Sequence, residues 1–257
     1  MSRIASVFGK TNHTVLVPYV TAGYPNIETT LKAVPLLAGL GCDIIELGIP
    51  FSDPLADGAT IQQASHEALR KGVTPRVCFE VARELTRQVE IPMVFMTYYN
   101  PVLKFGLEQF CSRCADVGID GLIIPDLPPD EGEELEKSTK QHGLDLIYLL
   151  SPASTEDRIR LVTGRSSGFI YLVSLTGVTG ARDKLPNELE GFVARVRRRT
   201  QKPLCVGFGV STPEQARRVA RVADGVIVGS RIVQLLDKDK SLKNAGSFVK
   251  RLREALL

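Results

Sequence analysis

Residues 43–63, DIIELGIPFSDPLADGATIQQ, contain the strand and the loop that decide how the fold is assigned. The apolar pair Ile44-Ile45 is typical of a buried strand, but it leads into the carboxylate Glu46 rather than into a turn residue. A charged group inside an apolar strand is costly unless it is paired, hydrogen-bonded or held protonated. Asp57 follows in a loop rich in Gly, Pro and Ser, just before a helical pattern. Two such acids could converge on one small molecule, as acid–base chemistry requires.

Both acids also have a purely structural interpretation. Glu46 could pair with a buried Arg or Lys, and Asp57 could cap a helix N-terminus, a position that Asp favours. Thr60 and Gln63, however, have the spacing of a capping box of their own, which would free Asp57 from that role. We therefore favour a functional role for Glu46 and leave both interpretations of Asp57 open at this point.

The composition is that of an ordinary globular protein. The chain has 257 residues, of which 44% are hydrophobic and 24% charged, and its formal net charge is +3. No apolar run approaches the roughly 20 residues of a membrane span, and the first eight residues predict a short amphipathic helix rather than a signal peptide. We expect a cytoplasmic protein. The basic cluster around Arg197 has no interleaved aromatic residues, which argues against nucleic-acid binding.

The cysteines and histidines predict neither a disulfide framework nor a metal site. Five cysteines are an odd number, and Cys111 and Cys114 fall inside a helical pattern, where we expect them to face the core. The histidines at positions 13, 66 and 142 are scattered and match no metal-ligand spacing. We therefore expect no metal in this chain.

Short apolar runs alternate with longer helical patterns along the chain. Continuously apolar strands that are each followed by a helix indicate a parallel sheet covered on both faces. Eight such units in about 250 residues match a closed (β/α)8 TIM barrel, which we predict as a single α/β domain over residues 1–257. A doubly wound sheet is the main alternative, but the Gly-rich loop that usually follows its first strand is missing. The runs begin near Val15, Asp43, Pro92, Asp120, Asp145, Gly168, Pro203 and Asp224.

Two intervals between strands are longer than the rest, namely 49 residues from Asp43 to Pro92 and 35 residues from Gly168 to Pro203. In this fold the loops that follow the strands form the active face. The inserted loops after strands 2 and 6 are therefore expected to serve the site. The first insert carries Asp57, and the second contains glycines that could act as hinges of a lid over residues 176–187.

Glycines also end the last two predicted strands, at residues 207–209 (GFG) and at Gly229-Ser230. Barrels often bind phosphate on the loops after strands 7 and 8, near a helix N-terminus. A glycine lets backbone N–H groups approach the anion without a Cβ in the way. These motifs predict a phosphate ester as the ligand.

The reacting groups that remain are Glu46, Asp57 and Tyr171, which ends the sixth predicted strand. A Schiff-base aldolase needs a lysine, and none lies within the eight runs. A metal-dependent lyase needs clustered ligands, which the scattered histidines do not provide. These three groups suit proton transfer on a phosphorylated substrate. The reaction would be either an isomerisation or a carbon–carbon cleavage that begins with protonation.

The sequence as a whole resembles the tryptophan synthase alpha subunit family. The resemblance rests on ELGIPFSDPLADG at 46–58, PDLPP at 125–129, GVTG at 177–180, GFG at 207–209 and VGS at 228–230. The motifs occur in order over essentially the whole chain, and the first is long and specific. Two positions differ from the family pattern: Ala59 stands where the family often has Pro, and Tyr19 where Phe is common.

The resemblance implies a lyase of tryptophan biosynthesis that cleaves indole-3-glycerol phosphate to indole and glyceraldehyde 3-phosphate. It implies that Glu46 is the acid that protonates C3 of the ring, and that ionised Asp57 stabilises the charge at the ring N–H. It also implies a set of substrate-binding residues, which in this sequence are Tyr19, Tyr171, Thr179, Gly180, Phe208, Gly209, Gly229 and Ser230.

The resemblance further implies a β subunit that holds pyridoxal phosphate and takes the indole, in an α2β2 assembly, with no cofactor in this chain. Residues around Asp53-Pro54 and Pro128-Pro129, and the loop after strand 6, would face that partner. Two alternatives remain open: a stand-alone lyase that releases free indole, and a non-catalytic subunit that only activates a partner. The presence of both carboxylates and every phosphate loop argues against the second.

Overall fold

The computed structural model describes residues 1–173, 188–207 and 209–257, and a parallel sheet forms its centre. The strands are β1 (Val15–Thr21), β2 (Ile45–Gly48), β3 (Met93–Met96), β4 (Gly121–Ile123), β5 (Asp145–Ile147), β6 (Leu149–Leu150), β7 (Ile170–Val173), β8 (Leu204–Gly207) and β9 (Gly225–Val228). They pair in the order β5-β4-β3-β2-β1-β9-β8-β7-β6. Because β5 and β6 at the two ends are consecutive segments of one run, the sheet closes on itself. The predicted (β/α)8 barrel is confirmed.

The ring closes at Tyr148, which separates β5 from β6. Its backbone N–H donates to Ser166 Oγ at 3.1 Å, whereas its carbonyl accepts from the N–H of Tyr171 at 3.1 Å. The Tyr148 hydroxyl donates to Glu136 at 2.7 Å. The single strand predicted from Asp145 is therefore two short strands, because a serine side chain takes one position in the hydrogen-bond ladder.

The helices surround this ring. Among the described residues they are α1 (Arg3–Lys10), α2 (Ile27–Gly39), α3 (Ala59–Arg70), α4 (Pro75–Thr86), α5 (Tyr99–Phe105), α6 (Leu107–Asp116), α7 (Glu133–Gln141), α8 (Glu156–Arg165), α9 (Leu189–Arg197), α10 (Pro213–Ala220), α11 (Ser230–Lys238) and α12 (Lys243–Leu256). The long interval after β2 is explained by the two helices α3 and α4. The sequence patterns did not predict α5, which contains Pro101, or α11, which follows β9 almost without a loop.

Two apolar layers result from the alternation of side chains along the strands. One fills the inside of the barrel and includes Val17, Val94 and Phe169, all fully or almost fully buried. The other lies between the strands and the helices. Cys111 and Cys114 are fully buried in this outer layer, as expected for core-facing positions of α6.

Helix α1 covers the amino-terminal end of the barrel, as the predicted amphipathic helix suggested. Ile4 is fully buried, the ring of Phe8 lies 6.1 Å from that of Phe169, and Arg3 donates to Asp120 at 2.9 Å. This end of the barrel is therefore closed by apolar packing, and the opposite end is available for a site.

Aspartates clamp neighbouring strands at the same amino-terminal end. The carboxylate of Asp43 accepts from the N–H of Leu16 at 2.7 Å, and that of Asp120 accepts from the N–H of Met93 at 2.9 Å. Asp224 accepts from the N–H of Leu204 at 2.7 Å. These three acids serve the structure, unlike the acids at the other end.

Candidate functional site

The carboxyl ends of the strands enclose one pocket that collects the predicted site residues. Every predicted residue that the structure describes lines it: Tyr19, Glu46, Asp57, Tyr171, Gly209, Gly229 and Ser230. Thr179, Gly180 and Phe208 lie outside the described residues and stay predictions, as does the lid over residues 176–187. The pocket therefore lies on the face of the barrel that the strand spacing predicted.

Glu46 lies inside β2, which continues beyond it to Gly48. It is paired in register with Tyr19 of β1 and Val94 of β3. Only 1% of the surface of Glu46 is exposed. Neither carboxylate oxygen has a hydrogen-bond partner among the described residues. Burial, followed by the nearby charge of Asp57, raises the pKa of Glu46 from 4.5 to about 8. No described Arg or Lys pairs with it, so the structural interpretation finds no support.

Asp57 is also buried, at 4% exposure. It caps no helix, because α3 begins at Ala59 with Gly58 as its N-cap. The predicted capping box of Thr60 and Gln63 is therefore wrong: the helix starts before Thr60, too early for its side chain to act as the cap. Burial raises the pKa of Asp57 to about 7, and a hydrogen bond with Tyr98 acts in the opposite direction.

Tyr98, which the sequence analysis missed, anchors the Asp57 loop to the end of β3. Its hydroxyl accepts from the N–H of Ala56 at 3.0 Å and is hydrogen-bonded to the side chain of Asp57. Its ring stacks on Phe51, with the ring centres 5.2 Å apart. The signal available in the sequence was the position of Tyr98, a polar aromatic residue two positions after the third predicted strand.

Two glycines make room for the tyrosine rings inside the barrel. A Cβ added at Gly48 would lie 2.0 Å from the hydroxyl of Tyr19, and one at Gly207 would lie 2.3 Å from that of Tyr171. Burial raises the pKa of both phenols well above 10, so both remain protonated. Tyr19 and Tyr171 therefore contribute neutral aromatic rings to the lining of the same pocket as the acids.

Helices α10 and α11, which follow the last two strands, differ in how their first N–H groups are satisfied. Helix α10 has a complete capping box, formed by Thr212 and Gln215. Helix α11 begins at Ser230 with Gly229 as its N-cap, and no described side chain caps it. Uncapped N–H groups and the positive end of the helix dipole attract anions. The phosphate expectation therefore fits α11 rather than α10. Ser211 and Arg231 also line the pocket and were not predicted.

The fold and the site are typical of a barrel enzyme, with two buried acids in a pocket at the carboxyl ends of the strands. Among the described residues, no cluster of His, Cys, Asp and Glu could hold a metal ion. Within the same residues, no helix has the length and apolar character needed to cross a membrane.

Comparison with known proteins identifies the family. A family model described as "Tryptophan synthase alpha chain" matches residues 6–255, and the chain belongs to this family. It is accordingly a lyase of tryptophan biosynthesis. The chain is 56% identical to the tryptophan synthase alpha chain of Dehalococcoides mccartyi, with 100% of both chains covered. It is 45% identical to that of Geobacter sulfurreducens, with 100% and 99% covered.

Solved structures agree with this assignment. A structure from Aquifex aeolicus superposes with a TM-score of 0.93 at 41% identity, covering 100% of this chain and 99% of the other. The tryptophan synthase structure of Mycobacterium tuberculosis gives a TM-score of 0.93 at 38% identity, with 99% and 98% covered.

Proposed function

We propose that Glu46 and Asp57 carry out the reaction of this family, the cleavage of indole-3-glycerol phosphate into indole and glyceraldehyde 3-phosphate. The supporting observation is that two buried carboxyl groups face one pocket with raised pKa values of about 8 and about 7. Because the charge of Asp57 raises the pKa of Glu46, Asp57 ionises first. Asp57 as an anion therefore favours the protonated form of Glu46, so the pair can present one anion and one proton donor at the same time.

This difference assigns the two roles. Protonated Glu46 donates its proton to C3 of the indole ring, which places positive charge on the ring and its N–H. Ionised Asp57 stabilises that charge inside a buried site, where electrostatic interactions are stronger than in water. The glycerol hydroxyl then loses its proton as the carbon–carbon bond breaks and the aldehyde forms. Glu46, now a carboxylate, accepts this proton either directly or through Tyr171, whose hydroxyl would donate its own proton to Glu46 as it takes up the one from the substrate, and both options remain open.

Substrate binding follows from the surrounding groups. The N–H groups at Gly229 and Ser230 would hold the phosphate at the start of α11, which positions the ring between Tyr19 and Tyr171. The remaining proposed contacts are Thr179, Gly180, Phe208 and Gly209.

The family also supports a β subunit as the partner, and we propose an α2β2 assembly in which pyridoxal phosphate belongs to the β subunit alone. Leu55 is 86% exposed directly beside Asp53-Pro54, so this loop would present an apolar side chain to the partner in the proposed assembly. A cytoplasmic location is part of the same proposal, because the substrate is a phosphorylated metabolite.

The test is to incubate the pure protein with indole-3-glycerol phosphate, with and without a β subunit, and to follow indole. We expect slow release of indole alone and faster consumption of substrate with the partner. Equal rates in both arms would indicate a stand-alone lyase. Absence of turnover in both arms would contradict the proposed function and favour a non-catalytic subunit.

A further inference from the structure

A hydrogen bond joins the helix that begins at the proposed phosphate site to the helix that follows the catalytic loop. Gln234 Nε2 of α11 donates to Thr60 Oγ1 of α3 at 3.1 Å. Gln234 lies one turn after Ser230, and Thr60 is the second residue of its helix. The bond therefore connects the second turn of α11 to the first turn of α3, and the first turns of both helices border the pocket.

The first turn of α3 is also hydrogen-bonded to the loop that carries Asp57. Gln62 Nε2 donates to the carbonyl of Asp57 at 2.9 Å and more weakly to that of Pro54 at 3.4 Å. Because Thr60 and Gln62 belong to the same helical turn, a shift of Thr60 also shifts the loop that carries Asp57. A continuous set of bonds thus runs from the start of α11 to the backbone of Asp57.

We infer that Gln234 is a positioning residue, which fixes the separation between the phosphate site at the start of α11 and the carboxylate of Asp57. This inference rests on the proposed function. The substrate carries its phosphate at one end and its ring N–H at the other, so only one separation lets both be held at once. Binding of the phosphate holds α11, and the Gln234–Thr60 bond holds Asp57 at the distance that the ring requires.

The kinetic test compares Gln234→Ala, Thr60→Val and the double variant with the wild-type protein. Asp57 acts on charge that develops only in the transition state, so kcat should fall about tenfold in each single variant, with KM within about twofold. The double variant should be no slower than the slower single variant, because both changes remove the same bond. Equal kcat in wild type and Gln234→Ala, or additive losses, would overturn the inference.

Gln63→Ala is the matched control. Gln63 lies on the exposed side of α3, and its amide donates to Glu67 of the same helix at 3.0 Å. Gln63→Ala removes the same side-chain atoms as Gln234→Ala, but from α3, and it leaves the Gln234–Thr60 bond in place. The values of kcat and KM should therefore stay at those of the wild type. A general loss of α3 stability would lower kcat in the control as well, and would contradict a specific role of Gln234.

Hydrogen exchange provides a readout that does not depend on turnover. Glycerol 3-phosphate carries the phosphate but no ring, and in the wild-type protein it should slow amide exchange in residues 55–64 as well as at the start of α11. In Gln234→Ala, protection should remain at α11 and disappear from residues 55–64. Equal protection of residues 55–64 in both proteins, or none in the wild type, would overturn the inference. Absent lyase activity combined with the expected exchange pattern would refute the proposed reaction alone.

Discussion

Replacing Glu46 by Gln should remove activity while making the folded protein more stable. The amide has nearly the shape of the carboxyl group but cannot donate an acidic proton, so indole release should fall by about 10²- to 10⁴-fold. The side chain is buried, and both of its oxygens lack partners among the described residues. A buried group that ionises without a partner opposes folding, and the amide cannot ionise.

The size of the stabilisation follows from the pKa of Glu46, which rises from 4.5 to about 8 on folding. The folded state therefore holds its proton more tightly than the unfolded state, so stability is lost as the pH rises from about 4.5 to about 8. At about 1.4 kcal/mol per pKa unit, this loss is about 1 kcal/mol at pH 5 and about 3 kcal/mol at pH 7. The neutral carboxyl and the amide are similarly polar, so their own burial costs largely cancel.

Urea unfolding followed by far-ultraviolet circular dichroism at pH 5, 6, 7 and 8 would measure this difference, since the chain contains no tryptophan. The free energy of unfolding of Glu46→Gln should exceed that of the wild type by an amount that grows with pH. Glu254→Gln, an exposed substitution on α12, is the matched control and should change neither stability nor indole release. A pH-independent difference, or near-normal turnover of Glu46→Gln, would refute the reasoning.

Three further changes probe other parts of the molecule. Asp57→Asn should lower kcat about 10²- to 10⁴-fold. The high-pH decline of the remaining activity should also move to lower pH, because the variant lacks the charge that raises the pKa of Glu46. A decline at the wild-type pH would argue against this interaction between Asp57 and Glu46. Gly229→Val should raise KM about 10- to 100-fold by blocking the N–H groups that meet the phosphate, with free indole binding as before in calorimetry. Arg253→Met should lower the free energy of unfolding by about 2–3 kcal/mol through loss of its bonds to Asp43 and Thr14, and leave kcat unchanged; a changed kcat would link the two ends of the barrel.

Much of the barrel could be predicted because each strand is apolar on both faces and each is followed by a helix. The division at Tyr148 could not, since it depends on the side chain of Ser166, which is distant in sequence. Helix α11 was missed because only Gly229 separates it from β9. Its apolar positions Ile232, Val233 and Leu236 were nevertheless visible in the sequence.

The acids were recognisable because a carboxylate in an apolar strand is unusual. Their interaction was not, because it depends on the path of the loop between them and on the bond from Tyr98. The choice of α11 over α10 for the anion likewise depends on the capping box at Thr212. This box satisfies the first N–H groups of α10, and the difference is seen only when the starts of α10 and α11 are compared in the structure.

The aspartate clamps at the amino-terminal end have a consequence for how the barrel assembles. Each clamp joins two strands that follow one another in the chain, separated by 27, 27 and 20 residues. Strand register can therefore be set within local pairs, before the ring exists. The last helix then adds a long-range contact to the first of these pairs, because Arg253 of α12 donates to Asp43 across 210 residues. A chain that ends before α12 should retain the three strand pairs and lack this contact between the last helix and the β1–β2 pair.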